Sequence, residues 1–183
     1  PARVHVAPWA PTLDVAPPPG GARRPRAQGP VRLLFVGVDW REKGADIALE
    51  AHRILRARGI DSAITICGCT PPAPVETAGV TIVPFLDKTD EADRRRLARL
   101  YEEADLFILP TRADCYGIVF CEAAAYGLPS LAPATGGVPS ALADGESGVL
   151  LPPEAGGAAY ADAVARLLEC PERLAALRLS SRA

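Results

Sequence analysis

The stretch TRADCYGIVFCEAAAYGLP, Thr111 to Pro129, sets two carboxylates eight positions apart. Asp114 stands in a loop that contains Gly117. Glu122 follows among small apolar residues that read as a buried helix. A carboxylate is seldom buried without a partner, so Glu122 must hold something. An acid just over one turn into a helix repels phosphate but accepts two hydrogen bonds from a diol. Acids play that part on ribose in dinucleotide folds. Asp114 lies further along such a ligand and accepts from sugar hydroxyls. The helix starting near Ile118 points its first amides at the same place, where phosphate oxygens fit, and Gly117 lets the backbone approach closely. The alternative is structural: Glu122 pairs with a nearby Arg or Lys, and Asp114 caps the helix.

Two further stretches carry chemistry. In GVDWREKG, Gly37 permits a sharp turn, while Arg41 and Lys43 bring positive charge to the start of a helix, an adequate clamp for a pyrophosphate. In ATGGVPSALADGESGVL, Gly136 and Gly137 follow a strand and precede a helix, so their amides can cradle anionic oxygens or sugar hydroxyls, or simply form a tight turn. No G-x-G-x-x-G stretch occurs, which counts against an ordinary nicotinamide dehydrogenase.

The elements that position these residues follow from the hydrophobic pattern. VRLLFVGV, SAITICG, VTIVPF, DLFILP, PSLAP and SGVLLP read as strands. GADIALEAHRILRAR, DEADRRRLARLYEEA with Asp90 as N-cap, IVFCEAAAYG, GVPSALAD, AAYADAVARLLEC and PERLAALRLSS read as helical. ARVHVAPW predicts an earlier strand, and residues 16–30, rich in Pro, Gly and Arg, predict a mobile loop. Strands alternate with helices throughout. That predicts an α/β, Rossmann-like, doubly wound and mostly parallel sheet with right-handed crossovers. Ligands of such sheets sit beyond the carboxyl ends of the strands. The segments to read together are therefore 38–44, 68–72, 84–88, 111–117 and 134–138.

Composition narrows the class. The 183 residues suffice for one domain with a real core, 49% are apolar and 23% charged, and a net charge of −2 favours neither nucleic acid nor an anionic membrane. The five cysteines are scattered, which points to a reducing compartment, the cytoplasm, rather than a disulfide framework. Cys67-x-Cys69 lacks the second ligand pair of a zinc site, so no metal is expected. No apolar run is long enough to span a bilayer. The chain has no Met and opens on Pro1, and it reads as part of a longer protein.

Taken in order, these features resemble the C-terminal half of a retaining glycosyltransferase of the GT-B fold, the family 4 type, over nearly the whole length of residues 1–183. GVDWREKG resembles the family loop G-x-x-x-x-x-K-G. DCYGIVFCE resembles its E-x7-E motif, with Asp114 and Glu122 as the paired acids. GGVPSALADGESG resembles its G-G-x-P-E and D-G-x-x-G stretches. The resemblance implies that Lys43, with Arg41, neutralises the diphosphate of a nucleotide-sugar donor, that Glu122 binds the ribose and that Asp114 faces the donor sugar. Backbone around Thr111, Cys115, Tyr116, Gly117 and Ile118, and at Gly136 and Gly137, would bind sugar or diphosphate. Gly37 and Gly68 would shape the crevice, and Pro84, Phe85 and Leu86 would meet the nucleobase.

It further implies no metal or other cofactor, an absent N-terminal acceptor domain as partner, and no turnover by this chain alone, and it leaves open peripheral membrane contact of the parent. Three positions depart from the family pattern: Asp114 in place of Glu, Ser140 in place of the last Glu of the glycine-pair motif, and Val38 in place of an Arg, a role for which Arg41 is the expected substitute. Two other classes fit the same residues: a nucleotide-sugar epimerase of related fold, and a non-catalytic nucleotide-sugar binding module.

Overall fold

The run VRLLFV forms the first strand of the computed structural model, which describes residues 29–75 and 78–181. Leu33, Leu34 and Phe35 are buried at successive positions, so this strand, β1 (Val31–Val36), has core on both faces. Around it lie β2 (Ser62–Cys67), β3 (Val80–Val83), β4 (Leu106–Ile108), β5 (Ser130–Pro133) and β6 (Gly148–Leu151). All pairings are parallel, in the order β3-β2-β1-β4-β5-β6. The helices are α1 (Ala45–Ala57), α2 (Glu91–Glu103), α3 (Ile118–Ala125), α4 (Val138–Ala141), α5 (Gly157–Glu169) and α6 (Pro171–Ser180).

The expected doubly wound α/β sheet is thus present. Asp90 caps α2 as its sequence position suggests, accepting from the Asp93 amide at 3.0 Å. The alternation of strand and helix fails in one place. The connection from β2 to β3 has no helix among its described residues. Pro71, Pro72 and Pro74 remove amide donors there, so a helix has too few hydrogen bonds to form. The expected strand near residues 2–9 and most of the 16–30 loop lie outside the described residues.

Strand order decides what meets what. The chain leaves β1, builds β2 and β3, and returns to lay β4 on the other side of β1. This reversal is the switch point at which doubly wound sheets open a crevice. It brings the loop after β1 against the loop after β4, about 70 residues later in sequence, as the pairing of Leu33 with Leu106 and Leu34 with Phe107 requires.

The two loops are then bonded together. The Arg112 amide donates to the Glu42 carbonyl at 2.7 Å, and the Thr111 hydroxyl donates to the Ala113 carbonyl at 2.8 Å and the Glu42 carbonyl at 3.3 Å. The Arg112 guanidinium holds Asp46, in the first turn of α1, with two bonds of 2.9 Å. At the opposite end of the sheet a buried Arg178 donates to the Asp105 carbonyl at 2.9 Å and tethers α6.

Burial acts to raise the Asp46 pKa, but the hydrogen bonds and charge of Arg112 outweigh it and hold the carboxyl below its ordinary value of 3.8. The unfolded chain therefore binds the extra proton first, and the pair stabilises the fold above about pH 4 and ceases to do so as pH falls. Both side chains are partly exposed, so we expect Asp46→Asn to cost no more than about 1 kcal/mol at pH 7. Urea unfolding should show that difference shrinking at pH 3; a difference that grows on acidification would contradict the assignment.

Candidate functional site

A cavity of about 200 Å³ opens beyond the carboxyl ends of β1, β2 and β3. Val36, Gly37, Val38 and Lys43 line it from the first strand and its loop, Cys67 and Gly68 from the second, and Phe85, Leu86 and Lys88 from the third. Leu97 of α2 and Leu109, Asp114 and Val119 from the β4 side close it. Its walls are mainly apolar, and its charged members are Lys43, Lys88 and Asp114. Val38 and Phe85, 67% and 65% exposed, present apolar surface to solvent at its mouth.

The Lys43 ammonium donates to Asp114 Oδ2 at 3.1 Å and to the Ala113 carbonyl at 3.0 Å. Its stem is packed because Gly37 leaves room for it: a Cβ at Gly37 would lie 2.9 Å from Lys43 Cβ. The other Asp114 oxygen accepts from the Tyr116 amide at 3.2 Å. Asp114 thus braces the turn before α3 while its pair with Lys43 faces the cavity. It is not the helix cap, since Gly117 takes that position without a side-chain bond.

Glu122 is 1% exposed and does not line the cavity. Its Oε1 accepts from Lys88 at 2.6 Å, and its Oε2 accepts from the Tyr101 hydroxyl at 3.0 Å. The pairing with a lysine is the structural alternative raised by the sequence, and it answers what this acid holds. Tyr101 is aimed by stacking on Tyr126, with centroids 5.3 Å apart and planes 7° from parallel, and by Phe107 at 6.0 Å. Burial, then the negative charge of Glu122, pushes the Tyr101 phenol well above its ordinary range, so it remains a hydrogen-bond donor. Lys88 is the element that connects Glu122 to the cavity.

Other expected site residues divide. Gly37, Lys43, Gly68, Phe85, Leu86 and Asp114 come together around the cavity. Thr111 is buried and holds the loop, and Cys115 is exposed on it. Tyr116, Gly117 and Ile118 lead into α3 beside Val119 without lining the cavity. Pro84 is exposed and also outside it. Arg41 is exposed and does not line it either; its carbonyl receives the Arg112 guanidinium.

Gly136 and Gly137 act by packing. The Gly137 amide is committed to the Asp114 carbonyl at 3.1 Å, and Cβ atoms at the two glycines would fall 2.2 Å from the Asp114 carbonyl oxygen and 2.0 Å from that of Cys115. These glycines let the turn after β5 seat directly on the site loop. Sequence reasoning missed Lys88 and Tyr101. Lys88 did fall in the segment after the third strand, but its charge-rich surroundings look like ordinary solvated surface. Among the described residues no group of three or more His, Cys, Asp or Glu side chains is placed to hold a metal ion.

Comparison with known proteins fits this geometry. A family model described as Glycosyl transferases group 1 matches residues 30–170. The chain belongs to that family. A D-inositol 3-phosphate glycosyltransferase of Catenulispora acidiphila is 43% identical over 159 residues, 80% of this chain and 38% of its own length. Solved structures share the fold: HepE of Anabaena, in complex with UDP and glucose, has a TM-score of 0.69 at 17% identity over 84% of this chain and 43% of its own. WaaG, a glycosyltransferase involved in lipopolysaccharide biosynthesis, has a TM-score of 0.70 at 23% identity over 85% of this chain and 42% of its own. The chain thus has the Rossmann-like α/β fold of GT-B domains, and it spans less than half the length of each of these relatives.

Two outcomes follow from the packing. Tyr101→Phe leaves Glu122 Oε2 without its donor and should lower stability by about 1–3 kcal/mol in urea unfolding; an unchanged midpoint would mean that the bond contributes nothing. Burial pushes the Cys67 and Cys69 thiols up to about 11, whereas Cys115 and Cys170 are exposed. Brief alkylation at neutral pH, read by mass spectrometry, should modify Cys115 and Cys170 and spare the buried pair. Modification of Cys67 or Cys69 at the same rate would contradict the packing around the cavity.

Proposed function

We propose that this chain is the donor-binding domain of a retaining glycosyltransferase of the family 4 type. The parent protein would transfer a hexosyl unit from a nucleoside diphosphate sugar to an acceptor hydroxyl. The observation that carries this reading is the Lys43–Asp114 pair at 3.1 Å, held across the switch point in a cavity with apolar walls. An apolar crevice with a few convergent polar groups is the usual form of a small-molecule site. The complex of HepE with UDP and glucose supports a nucleotide-sugar ligand for a domain of this shape.

The roles follow from charge. As the glycosidic bond breaks, negative charge builds on the diphosphate, and a fixed ammonium lowers that barrier more than it stabilises the bound donor. Lys43 supplies it from the loop after β1, and the start of α3 adds oriented amides. No metal is assigned a part. Asp114 turns a carboxylate toward the donor sugar and accepts from its hydroxyls. Glu122 is sealed behind Lys88 and its oxygens are taken by Lys88 and Tyr101, so we assign it no direct contact with the ribose; it acts on the cavity through Lys88. Phe85 and Leu86 offer the nucleobase an apolar surface.

The acceptor comes with an N-terminal domain of the parent, and closure of the two halves completes the site. No helix among the described residues is long and apolar enough to cross a membrane. We place the parent in the cytoplasm, with any membrane contact peripheral.

Calorimetry with uridine, guanosine and adenosine diphosphate tests the reading. At least one should bind at millimolar concentration or below, and Lys43→Ala should weaken it about tenfold or more, the equivalent of 1.4 kcal/mol. Absence of binding for all three, or binding indifferent to Lys43→Ala, would overturn it.

A further inference from the structure

We infer that Lys88 is a second diphosphate-binding cation of this cavity, a role that rests on the donor-binding reading above. A nucleoside diphosphate carries more negative charge than one lysine offsets. The side chains that face the cavity with charge are Lys43, Lys88 and Asp114. Val38 contributes surface there but no charge. Of the nearby arginines, Arg112 grips Asp46 with two bonds of 2.9 Å, and Arg41 is exposed and does not line the cavity. Positive charge beyond that of Lys43 is therefore available in the cavity wall from Lys88.

Lys88 is also held ready, which an ordinary exposed lysine is not. Its backbone sits on a platform fixed by the start of α2. The Arg94 guanidinium donates to the Lys88 and Thr89 carbonyls, each at 2.9 Å. The Thr89 amide and hydroxyl both donate to Asp87 Oδ1 at 2.8 Å, and the Asp87 amide donates to Asp93 at 2.9 Å. At its far end the ammonium is tethered to Glu122 at 2.6 Å, and Glu122 is in turn fixed by Tyr101. A lysine anchored at both ends loses little further rotamer freedom when it binds an anion.

The tether does not use up the ammonium. Lysine has three N–H donors, and Glu122 takes one of them. Nearly half of the Lys88 side-chain surface is exposed, whereas that of Glu122 is sealed. The Lys88 side of the pair is thus the one open to a ligand. Lys88 then joins two functions in one group: it offsets the charge of the buried acid behind it and meets phosphate oxygens in front. Such a site should favour nucleoside diphosphates over the matching nucleoside by more than Lys43 alone provides.

The test is a set of titrations on the whole chain with the nucleoside diphosphate that wild type binds and with its parent nucleoside. Lys88→Met should weaken the diphosphate about tenfold or more, the scale of one charge-assisted bond, and change nucleoside binding less than about twofold. Lys88→Arg should restore most of the diphosphate affinity. Because Lys88→Met also leaves Glu122 without its countercharge, with only the Tyr101 hydroxyl as partner, the same substitution is made in a Glu122→Gln background, where the phosphate-selective loss should persist. Equal losses for nucleoside and diphosphate, or a loss that vanishes in the Glu122→Gln background, would reduce Lys88 to a support for Glu122 and overturn the inference. If Lys43→Ala weakens diphosphate binding and Lys88→Met does not, this inference falls alone. If wild type binds no nucleoside diphosphate, the donor-binding reading falls first.

Discussion

The adjacency of β1 and β4 governs the molecule. Parallel pairing of Leu33 with Leu106 and Leu34 with Phe107 forces two loops far apart in sequence to share one crevice. Lys43 and Asp114 belong to those loops, and their 3.1 Å contact is a direct consequence of strand order. Every bond that stitches the loops together serves that contact: Thr111 and Arg112 on the Glu42 carbonyl, and the Arg112 fork on Asp46. A crevice at a topological reversal is where α/β sheets bind ligands, and here it carries a cation and an acid in register.

Behind the crevice lies a second layer in which aromatic packing controls electrostatics. Tyr101 stacks with Tyr126 and with Phe107, and Phe107 meets Phe120 edge-on with centroids 5.7 Å apart. This stack fixes a phenol donor on one oxygen of Glu122, and Lys88 takes the other. A carboxylate in such surroundings would be costly if left unpaired, and its two partners resolve that cost with different consequences. Tyr101 is wholly structural, whereas Lys88 extends from the buried acid to the cavity. The glycine pair at Gly136 and Gly137 completes the layer by bringing the turn after β5 onto the backbone of the site loop.

Much of this was legible in the sequence where a local pattern has one physical solution. Continuous apolar runs such as VRLLFV need core on both faces, so the buried parallel strands were readable, and Asp90 followed by a periodic run marked the start of α2. The rule that ligands gather at carboxyl strand ends then grouped Lys43, Gly68, Leu86 and Asp114 before any coordinates. What was hidden depended on long-range packing. Helix α3 is rich in small apolar residues on all sides, so periodicity cannot say which face Glu122 takes, and a buried partner such as Tyr101 lies 21 positions earlier. The glycine pair looked like an anion cradle because its neighbours in space, the Asp114 and Cys115 carbonyls, are invisible in a linear reading. No stretch between β2 and β3, where three prolines stand, reads as helical, so only the general expectation that strands alternate with helices throughout was too broad.

The central claim is that the Lys43–Asp114 crevice receives the diphosphate of a sugar donor. A crystal structure of this chain with a bound nucleoside diphosphate tests it most directly. The account predicts phosphate oxygens within hydrogen-bonding distance of the Lys43 ammonium, at the mouth formed by the loops after β1 and β4. A nucleotide bound elsewhere on the molecule, with its phosphates out of reach of Lys43, would contradict it.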